Sequence, residues 1–145
     1  MGCMQDKKSH FISVSDFISA DFITVKTDDS LIHTIKKILQ MDLNSAIVME
    51  SNSAENIPVG IITLKDILRT IIDNNYRALT SILDNILARD VMSKPLIYAF
   101  LDQPIWDTLD LMYSKKVSIL PVIDNHDKIQ GVIRMNSILK NLSEF

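Results

Sequence analysis

Apolar residues recur at three- and four-residue spacing in two segments of this chain, residues 31–39 and residues 105–113. Residues spaced in this way share one face of a helix, so both segments are predicted to be amphipathic helices. Polar or acidic residues stand immediately before each segment, and Pro104 suits a first helical turn. We therefore expect two helices that each bury one face against a core.

Short apolar runs bounded by turn residues predict strands around these helices. Extended pieces precede the helices at 22–25 and 96–99, and two strands follow each helix, at 46–49 and 59–63 and at 119–123 and 131–135. A closing helix is predicted at 64–73 and again at 136–142, and a helical stretch at 82–89 connects the two sets. Each set has the order β-α-β-β-α, which indicates an α/β (α+β) fold.

The two sets are copies of one repeat. A shift of 74 places residues 16–19 over residues 90–93, and beyond a loop that is three residues longer in the first copy the shift is 71. In this second register Gly60 falls on Gly131, and the chain has only three glycines. A glycine that recurs at one repeat position indicates a backbone need, such as a positive φ or a close approach. One unit of about 70 residues would be marginally stable alone, so we expect the two units to pack together.

Composition narrows the class of protein. The chain has 145 residues, of which 47% are hydrophobic and 23% charged, as in ordinary globular proteins. The net charge is −3 and the basic residues are scattered, which argues against nucleic acid as the main partner. No apolar run approaches the roughly 20 residues that cross a bilayer, so no membrane role is expected. The single cysteine cannot form an internal disulfide and fits a reducing cytoplasm.

Common catalytic and metal-binding motifs are absent from the sequence. It contains no G-x-x-x-x-G-K-[ST], G-x-S-x-G or H-E-x-x-H motif. Cys3 has no histidine near it in sequence to act as its base, and none of the three histidines has a second ligand at metal-binding spacing. We therefore expect neither catalytic residues nor a metal site, and the protein is not expected to be an enzyme.

Thr63 and Asp66 form an informative local motif at the start of the helix predicted at 64–73. A threonine followed three residues later by an acid is the signature of a capping box, in which side chains satisfy free backbone amides. The same residues suit a nucleotide, because a carboxylate accepts hydrogen bonds from ribose hydroxyls and a helix start can face a phosphate. The sequence leaves both roles open, and the two can coexist in one residue.

The ordered set of motifs, present twice, resembles the CBS domain pair, or Bateman module. The matching motifs are the D-V-M-S type lead-ins at 16–19 and 90–93, the stretch 118–124 and the stretch 59–68, and together they span about residues 14–142. The resemblance implies tandem β-α-β-β-α repeats related by a pseudo-twofold axis. The two domains are expected at 14–75 and 90–142, with a flexible tail at 1–13 and a linker helix at 76–89.

Members of that family commonly bind adenine nucleotides in the clefts between the two repeats. Carried over residue by residue, the resemblance implies a nucleotide site composed of Ile61, Thr63, Asp66, Ile97, Val117, Ser118 and Pro121. Asp66 would hold the ribose and Thr63 the phosphate, while residues of the second repeat would enclose the base. The implied ligand is AMP, ADP or ATP, with S-adenosyl compounds or a cyclic dinucleotide as alternatives, and no cofactor is required.

A second, sister site departs from the family pattern. It would comprise Ile23, Asn44, Arg134 and Ser137, where Arg134 replaces the usual Thr or Ser and Ser137 replaces the aspartate. Without a carboxylate this site lacks an acceptor for the ribose diol, although Arg134 has the charge to bind a phosphate. It is therefore expected to be degenerate.

The resemblance implies a regulatory, nucleotide-sensing module that forms a homodimer and controls an unidentified protein. The alternative is a ligand-free dimerisation scaffold in which Thr63 and Asp66 only cap a helix. The two hypotheses differ in one observable, since only the first predicts that replacing Asp66 changes a response to nucleotide.

Overall fold

The computed structural model describes residues 12–52, 54, 57–74 and 83–144. In chain order the elements are a 3-10 turn (Val14–Asp16), β1 (Thr24–Lys26), α1 (Leu31–Gln40), β2 (Ser45–Met49), β3 (Pro58–Thr63), α2 (Leu64–Asp73), α3 (Ala88–Val91), β4 (Ala99–Phe100), α4 (Ile105–Lys115), β5 (Ile119–Ile123), β6 (Ile129–Arg134) and α5 (Met135–Ser143). Most of the tail predicted at 1–13, the last residue of the domain predicted at 14–75, and residues 76–82 of the predicted linker lie outside the described residues.

The chain divides into two units. The central unit is residues 22–97, and the terminal unit combines the residues up to 21 with those from 98 onward. Each unit contains one three-stranded sheet, in the order β1-β2-β3 or β4-β5-β6. In both sheets the first strand is parallel to the second and the third is antiparallel to it. The predicted α+β fold with two β-α-β-β-α repeats is confirmed.

Each core forms between a sheet and the helices of its unit. β2 is buried at all five positions, whereas β3 alternates buried and half-buried residues. Leu31 and Ile38 lie seven residues apart on one face of α1, and both are fully buried. Ile105 and Met112 hold the equivalent positions on α4 and are also buried. The helical spacing read from the sequence therefore identifies the core-facing sides of both helices.

The predicted helices at 31–39, 64–73, 105–113 and 136–142 begin within one residue of their observed starts. The first strand of each repeat begins later than predicted, at Thr24 and at Ala99. The reason is the pairing register, since Thr24 lies opposite Ile47 of β2 and Ala99 lies opposite Val122 of β5. Apolar character alone does not reveal where such pairing starts.

The helix predicted over 82–89 is interrupted within the described residues. Helical residues occur at 83–85 and in α3, but Leu87 between them is extended, with φ −99° and ψ 155°. Leu87 pairs with Ser30, and its amide donates to Asp90 Oδ2 at 3.1 Å, so α3 has a start of its own. The prediction of one continuous helix was wrong, because a pairing with a distant residue overrides the local apolar spacing.

The lead-in segment before each repeat forms a backbone hydrogen bond with the third strand of the other repeat. In the central unit the amide of Ser93 donates to the carbonyl of Ile61 in β3, at 2.9 Å. In the terminal unit the amide of Ser19 donates to the carbonyl of Val132 in β6, at 2.8 Å. The two bonds are equivalent, because the repeat shifts relate Ser19 to Ser93 and Ile61 to Val132. Residues 86–93 therefore complete the central unit, and residues 12–19 complete the terminal unit.

The repeated glycines lie where these lead-in segments contact the sheets. A Cβ atom on Gly60 would lie 2.5 Å from Met92 Sδ, and one on Gly131 would lie 2.6 Å from the carbonyl oxygen of Ser19. Neither glycine has a positive φ. Of the two backbone needs considered from the sequence, close approach is the one that the structure confirms.

Candidate functional site

Asp66 lies in the first turn of α2, just after β3 ends at Thr63. It is only 4% exposed, and aspartate is rarely buried so deeply without partners. Oδ2 accepts hydrogen bonds from the amide of Thr63 at 2.8 Å and from its hydroxyl at 3.0 Å. The negative charge also lies at the positive end of the helix dipole. The capping role suggested by the sequence is therefore present in the structure.

The other carboxylate oxygen of Asp66 has different partners. Oδ1 accepts hydrogen bonds from Arg69 Nη2 at 2.7 Å and from Ser93 Oγ at 3.3 Å. The side chain of Arg69 is 60% exposed, whereas that of Asp66 is 5% exposed. Four hydrogen bonds satisfy both oxygens, and the guanidinium charge offsets part of the cost of burying the carboxylate.

Sequence reasoning missed Arg69 and Ser93 as partners of Asp66. Arg69 was detectable, because residues three apart on a helix are neighbours and these two carry opposite charges. Ser93 was not detectable, because it is 27 residues away and its approach depends on which unit the lead-in segment joins.

The central unit brings three of the predicted site residues together at the junction of β3 and α2. Ile61 lies two residues before Thr63 on β3, and its carbonyl accepts the hydrogen bond from Ser93. Ile61 and Thr63 are half-buried, beside the buried Asp66. Ile97 is also half-buried and ends the central unit, four residues after Ser93. Ser93 thus links the β3–α2 junction to the segment that continues to Ile97.

The terminal unit holds the other three predicted site residues around the start of β5. Val117 is half-buried, and its amide donates to the carbonyl of Met112 at 3.0 Å. Ser118 is exposed, and its carbonyl accepts a hydrogen bond from the amide of Met135 at 2.9 Å. Pro121 is buried within β5, opposite Val132 of β6. Val117 and Ser118 are therefore more accessible than Pro121.

The residues predicted for the sister site are divided between the units. Arg134 ends β6 directly before α5, and its Nη2 donates to the carbonyl of Asp21 at 2.7 Å. Ser137 follows in the first turn of α5, which contains no acidic residue. Ile23 is buried and Asn44 exposed, both in the central unit. The start of α5 therefore has a basic group where α2 has its threonine, and a hydroxyl where α2 has a carboxylate.

Features of a metal centre or a membrane span are absent from the part of the chain that the structure describes. Within 12–52, 54, 57–74 and 83–144, no three His, Cys, Asp or Glu side chains are grouped to hold a metal ion. No helix among these residues combines the length and the apolar character needed to cross a bilayer.

Two stretches of the chain, residues 14–73 and 88–144, match the family model of the CBS domain. An uncharacterised protein of Methanopyrus kandleri, MK0525, is 26% identical over 129 residues, which cover 89% of this chain and 62% of that protein. The inosine-5'-monophosphate dehydrogenase of Methanocaldococcus jannaschii is 29% identical over 125 residues, which cover 86% of this chain and 22% of the dehydrogenase. This chain therefore spans less than two thirds of the length of these curated relatives.

Solved structures share the fold at low sequence identity. The CBS domain pair of protein MJ0100, in complex with 5'-methylthioadenosine and S-adenosyl-L-methionine, matches with a TM-score of 0.76 at 21% identity, over 91% of this chain and 96% of that one. CBSX2 of Arabidopsis thaliana, in complex with AMP, matches with a TM-score of 0.74 at 20% identity, over 92% and 97% of the two chains. Since the family model also matches most of the chain in two copies, this protein belongs to the CBS domain family.

Proposed function

We propose that this protein is a regulatory module that binds an adenine nucleotide, AMP, ADP or ATP, and thereby controls a partner protein. The observation that carries the proposal is the buried carboxylate of Asp66 at the β3–α2 junction of a CBS domain. Two structural neighbours support the class of ligand, since one was solved with AMP and the other with S-adenosyl-L-methionine and 5'-methylthioadenosine. These three ligands share an adenosine group, which makes adenosine the feature that we expect this protein to recognise.

In this proposal the ribose hydroxyls donate hydrogen bonds to Asp66, and the phosphate lies at the start of α2 near Thr63 and its backbone amides. Ile61 contacts the sugar, and a second set encloses the base: Ile97, Val117, Ser118 and Pro121. A hydrogen bond to a charged group contributes about 1.5–3 kcal/mol, so Asp66 is expected to dominate recognition of the ribose. The sister set of Ile23, Asn44, Arg134 and Ser137 offers a cation for a phosphate but no carboxylate for a ribose.

Isothermal titration of the protein with AMP, ADP, ATP and S-adenosyl-L-methionine tests this proposal. A ligand of about 23 heavy atoms at about 0.3 kcal/mol per atom gives a dissociation constant of about 10 μM. We expect Asp66→Ala to weaken binding at least tenfold. Asp90→Ala is the matched control, because Asp90 Oδ2 also accepts a hydrogen bond from a helix-start amide, that of Leu87, without belonging to the proposed site. If none of the four ligands binds at 1 mM, the proposal is rejected.

The proposal also includes that the protein forms a homodimer, that it acts by regulating another protein, and that it is located in the cytoplasm. α2 carries an exposed apolar stripe at four-residue spacing, formed by Leu64, Leu68 and Ile72. Lys65 and Asp73 flank it near opposite ends of the helix, so a second copy packed antiparallel would pair opposite charges.

The single cysteine supports a reducing compartment. No catalytic activity is proposed, since the match to the dehydrogenase covers only 22% of that enzyme.

A ligand-free scaffold is the second candidate, and the four hydrogen bonds of Asp66 favour it. Thr63, Arg69 and Ser93 already supply partners for both carboxylate oxygens. On this hypothesis Asp66→Ala lowers the melting temperature, and AMP shifts the melting temperature of neither the native protein nor the variant. A thermal-shift series of both proteins with and without AMP therefore separates the two candidates.

A further inference from the structure

We infer that the two oxygens of Asp66 have separate tasks: Oδ2 caps α2, and Oδ1 is the acceptor that a ligand ribose takes over from Arg69. The inference rests on the proposed function and deepens it, because it identifies Arg69 as the side chain that regulates access to the site. It also explains how the capping role and the binding role can reside in one carboxylate.

One partner of Oδ2, the backbone amide of Thr63, is fixed in place. The amide of Thr63, at 2.8 Å, belongs to the residue from which α2 starts, and the hydroxyl of the same residue lies at 3.0 Å. A capping amide of this kind cannot move away unless the first helical turn unwinds. Oδ2 is therefore occupied for as long as α2 is folded.

The partners of Oδ1 are exchangeable by comparison. The side chain of Arg69 is 60% exposed, so its guanidinium can be hydrated when it leaves the carboxylate. The hydroxyl of Ser93 lies 3.3 Å from Oδ1, which is long for a bond between two oxygens, where about 2.7–2.8 Å is usual. A ribose hydroxyl can therefore replace either partner at Oδ1 without disturbing the helix start.

The terminal unit offers an internal comparison. By the repeat shift of 71, Asp66 corresponds to Ser137 and Arg69 corresponds to Lys140. The two equivalent positions of α5 thus lack both the carboxylate and the guanidinium. Ser19, which corresponds to Ser93, has a different partner, since its Oγ accepts a hydrogen bond from the amide of Asp21 at 3.0 Å.

The arrangement makes Arg69 a competitor of the ribose. Only molecules in which Arg69 has left Oδ1 can bind a ribose hydroxyl in its place. The apparent dissociation constant for the ligand therefore rises as the fraction of such molecules falls. Ion pairs with a solvent-exposed partner are weak, and removal of the guanidinium is therefore expected to tighten binding by about fivefold.

The test compares Arg69→Met with the native protein in isothermal titrations with AMP. Methionine retains an unbranched apolar stem and removes the charge. The matched control is Lys140→Met, which makes a similar change in α5, where residue 137 is a serine. We expect Arg69→Met to bind AMP about fivefold more tightly, and Lys140→Met to bind with native affinity.

A second pair of variants tests the division between the two oxygens. Asp66→Asn keeps one acceptor oxygen for the amide of Thr63 but presents an NH2 group on its other side. Asp66→Ala removes both acceptor oxygens of the native side chain. We expect both variants to lose AMP binding at least tenfold, and Asp66→Ala to lower the melting temperature more than Asp66→Asn.

The outcomes separate this inference from the proposed function. If Arg69→Met binds AMP with native affinity, or more weakly because Arg69 holds the phosphate, the inference is overturned and the proposed function is unaffected. Equal losses of melting temperature in Asp66→Asn and Asp66→Ala overturn the division of the two oxygens. Failure of the native protein and of Arg69→Met to bind any of AMP, ADP, ATP and S-adenosyl-L-methionine at 1 mM rejects the proposed function, and the inference with it.

Discussion

Gly60 lies directly against Met92, so that a Cβ atom on the glycine would come within 2.5 Å of the methionine Sδ. The equivalent Gly131 lies against Ile18 and Ser19, and its nearest atoms include the backbone oxygen of Ser19 at 2.6 Å. A methionine side chain can rotate away from an added methyl group, whereas a carbonyl in a sheet-like bridge cannot. The two equivalent contacts therefore differ in how much change they tolerate.

We expect Gly131→Ala to lower the free energy of unfolding by about 2–3 kcal/mol and Gly60→Ala by about 1 kcal/mol. The larger loss arises because the added methyl displaces the backbone of Ser19, which pairs with Val132. Urea unfolding of the two variants measures both values. A loss in Gly60→Ala equal to that in Gly131→Ala would show that Met92 is as rigid as the backbone.

Thr34 and Thr108 occupy equivalent buried positions on α1 and α4, but only one has a partner. Thr34 Oγ1 donates to the carbonyl of Ser30 at 3.1 Å. Among the described residues, Thr108 Oγ1 is a buried side-chain oxygen without a hydrogen-bond partner. Pro104 stands four residues before Thr108, at the position that Ser30 holds before Thr34 in the first repeat.

Thr108→Val is therefore expected to raise the free energy of unfolding by about 1 kcal/mol, because it removes an unsatisfied buried hydroxyl. Thr34→Val makes the same change at a satisfied hydroxyl and is expected to lower it by about 1 kcal/mol. Urea unfolding of the pair measures the difference with side-chain shape held constant. Changes of the same sign in both variants would contradict this interpretation.

Much of the fold was predictable because it depends on local chemistry. Helical spacing located the buried faces of α1 and α4, and the capping-box motif of Thr63 and Asp66 located the start of α2. The recurrence of Gly60 and Gly131 predicted a backbone need at both positions, either a positive φ or a close approach, but neither which of the two applies nor the segment that makes the contact. The helical spacing and the start of α2 depend on residues within a few positions of one another, and the recurrence of the glycines is visible in the sequence itself.

The rest was not predictable because it depends on which segments meet. Ser93 reaches Asp66 only because its lead-in segment joins the central unit, a choice that no local pattern records. The break before α3 has the same origin, since Leu87 is extended by its pairing with Ser30. The contribution of Val117, Ser118 and Pro121 to a ligand site remains a prediction.

Leu68 is the centre of the exposed apolar stripe on α2 and is 58% exposed. If two copies pair through this stripe, Leu68→Lys places a charge in an apolar interface and is expected to convert the dimer to a monomer. Leu139→Lys, at a 56% exposed position of α5, is the matched control and is expected to leave the mass unchanged. Light scattering coupled to size-exclusion chromatography measures the mass, and a native monomer would contradict the proposal of a homodimer.

Asp124 organises the hairpin between β5 and β6. Its Oδ1 accepts hydrogen bonds from the amides of Lys128 at 3.0 Å and His126 at 2.8 Å, and its Oδ2 accepts one from Gln130 Nε2 at 3.0 Å. The backbone amide of Lys128, followed by that of His126, lowers the pKa of Asp124 below its ordinary value of 3.8. The ionised form is therefore favoured by folding.

This shift predicts an acid-dependent loss of stability. A carboxyl group whose pKa is lower in the folded state stabilises the fold above its unfolded pKa, and the stabilisation is lost as the pH falls through its folded pKa. Asp124→Asn cannot ionise, so the native protein is expected to exceed it in free energy of unfolding by a constant amount from pH 7 to about pH 5. The difference is expected to shrink below about pH 4, where the unfolded carboxylate begins to bind protons. Urea unfolding across this range measures the difference, with Asp110→Asn on α4 as the control for loss of one negative charge. A difference between native protein and Asp124→Asn that stays constant down to pH 2.5 would show that the hairpin amides do not favour the ionised carboxylate.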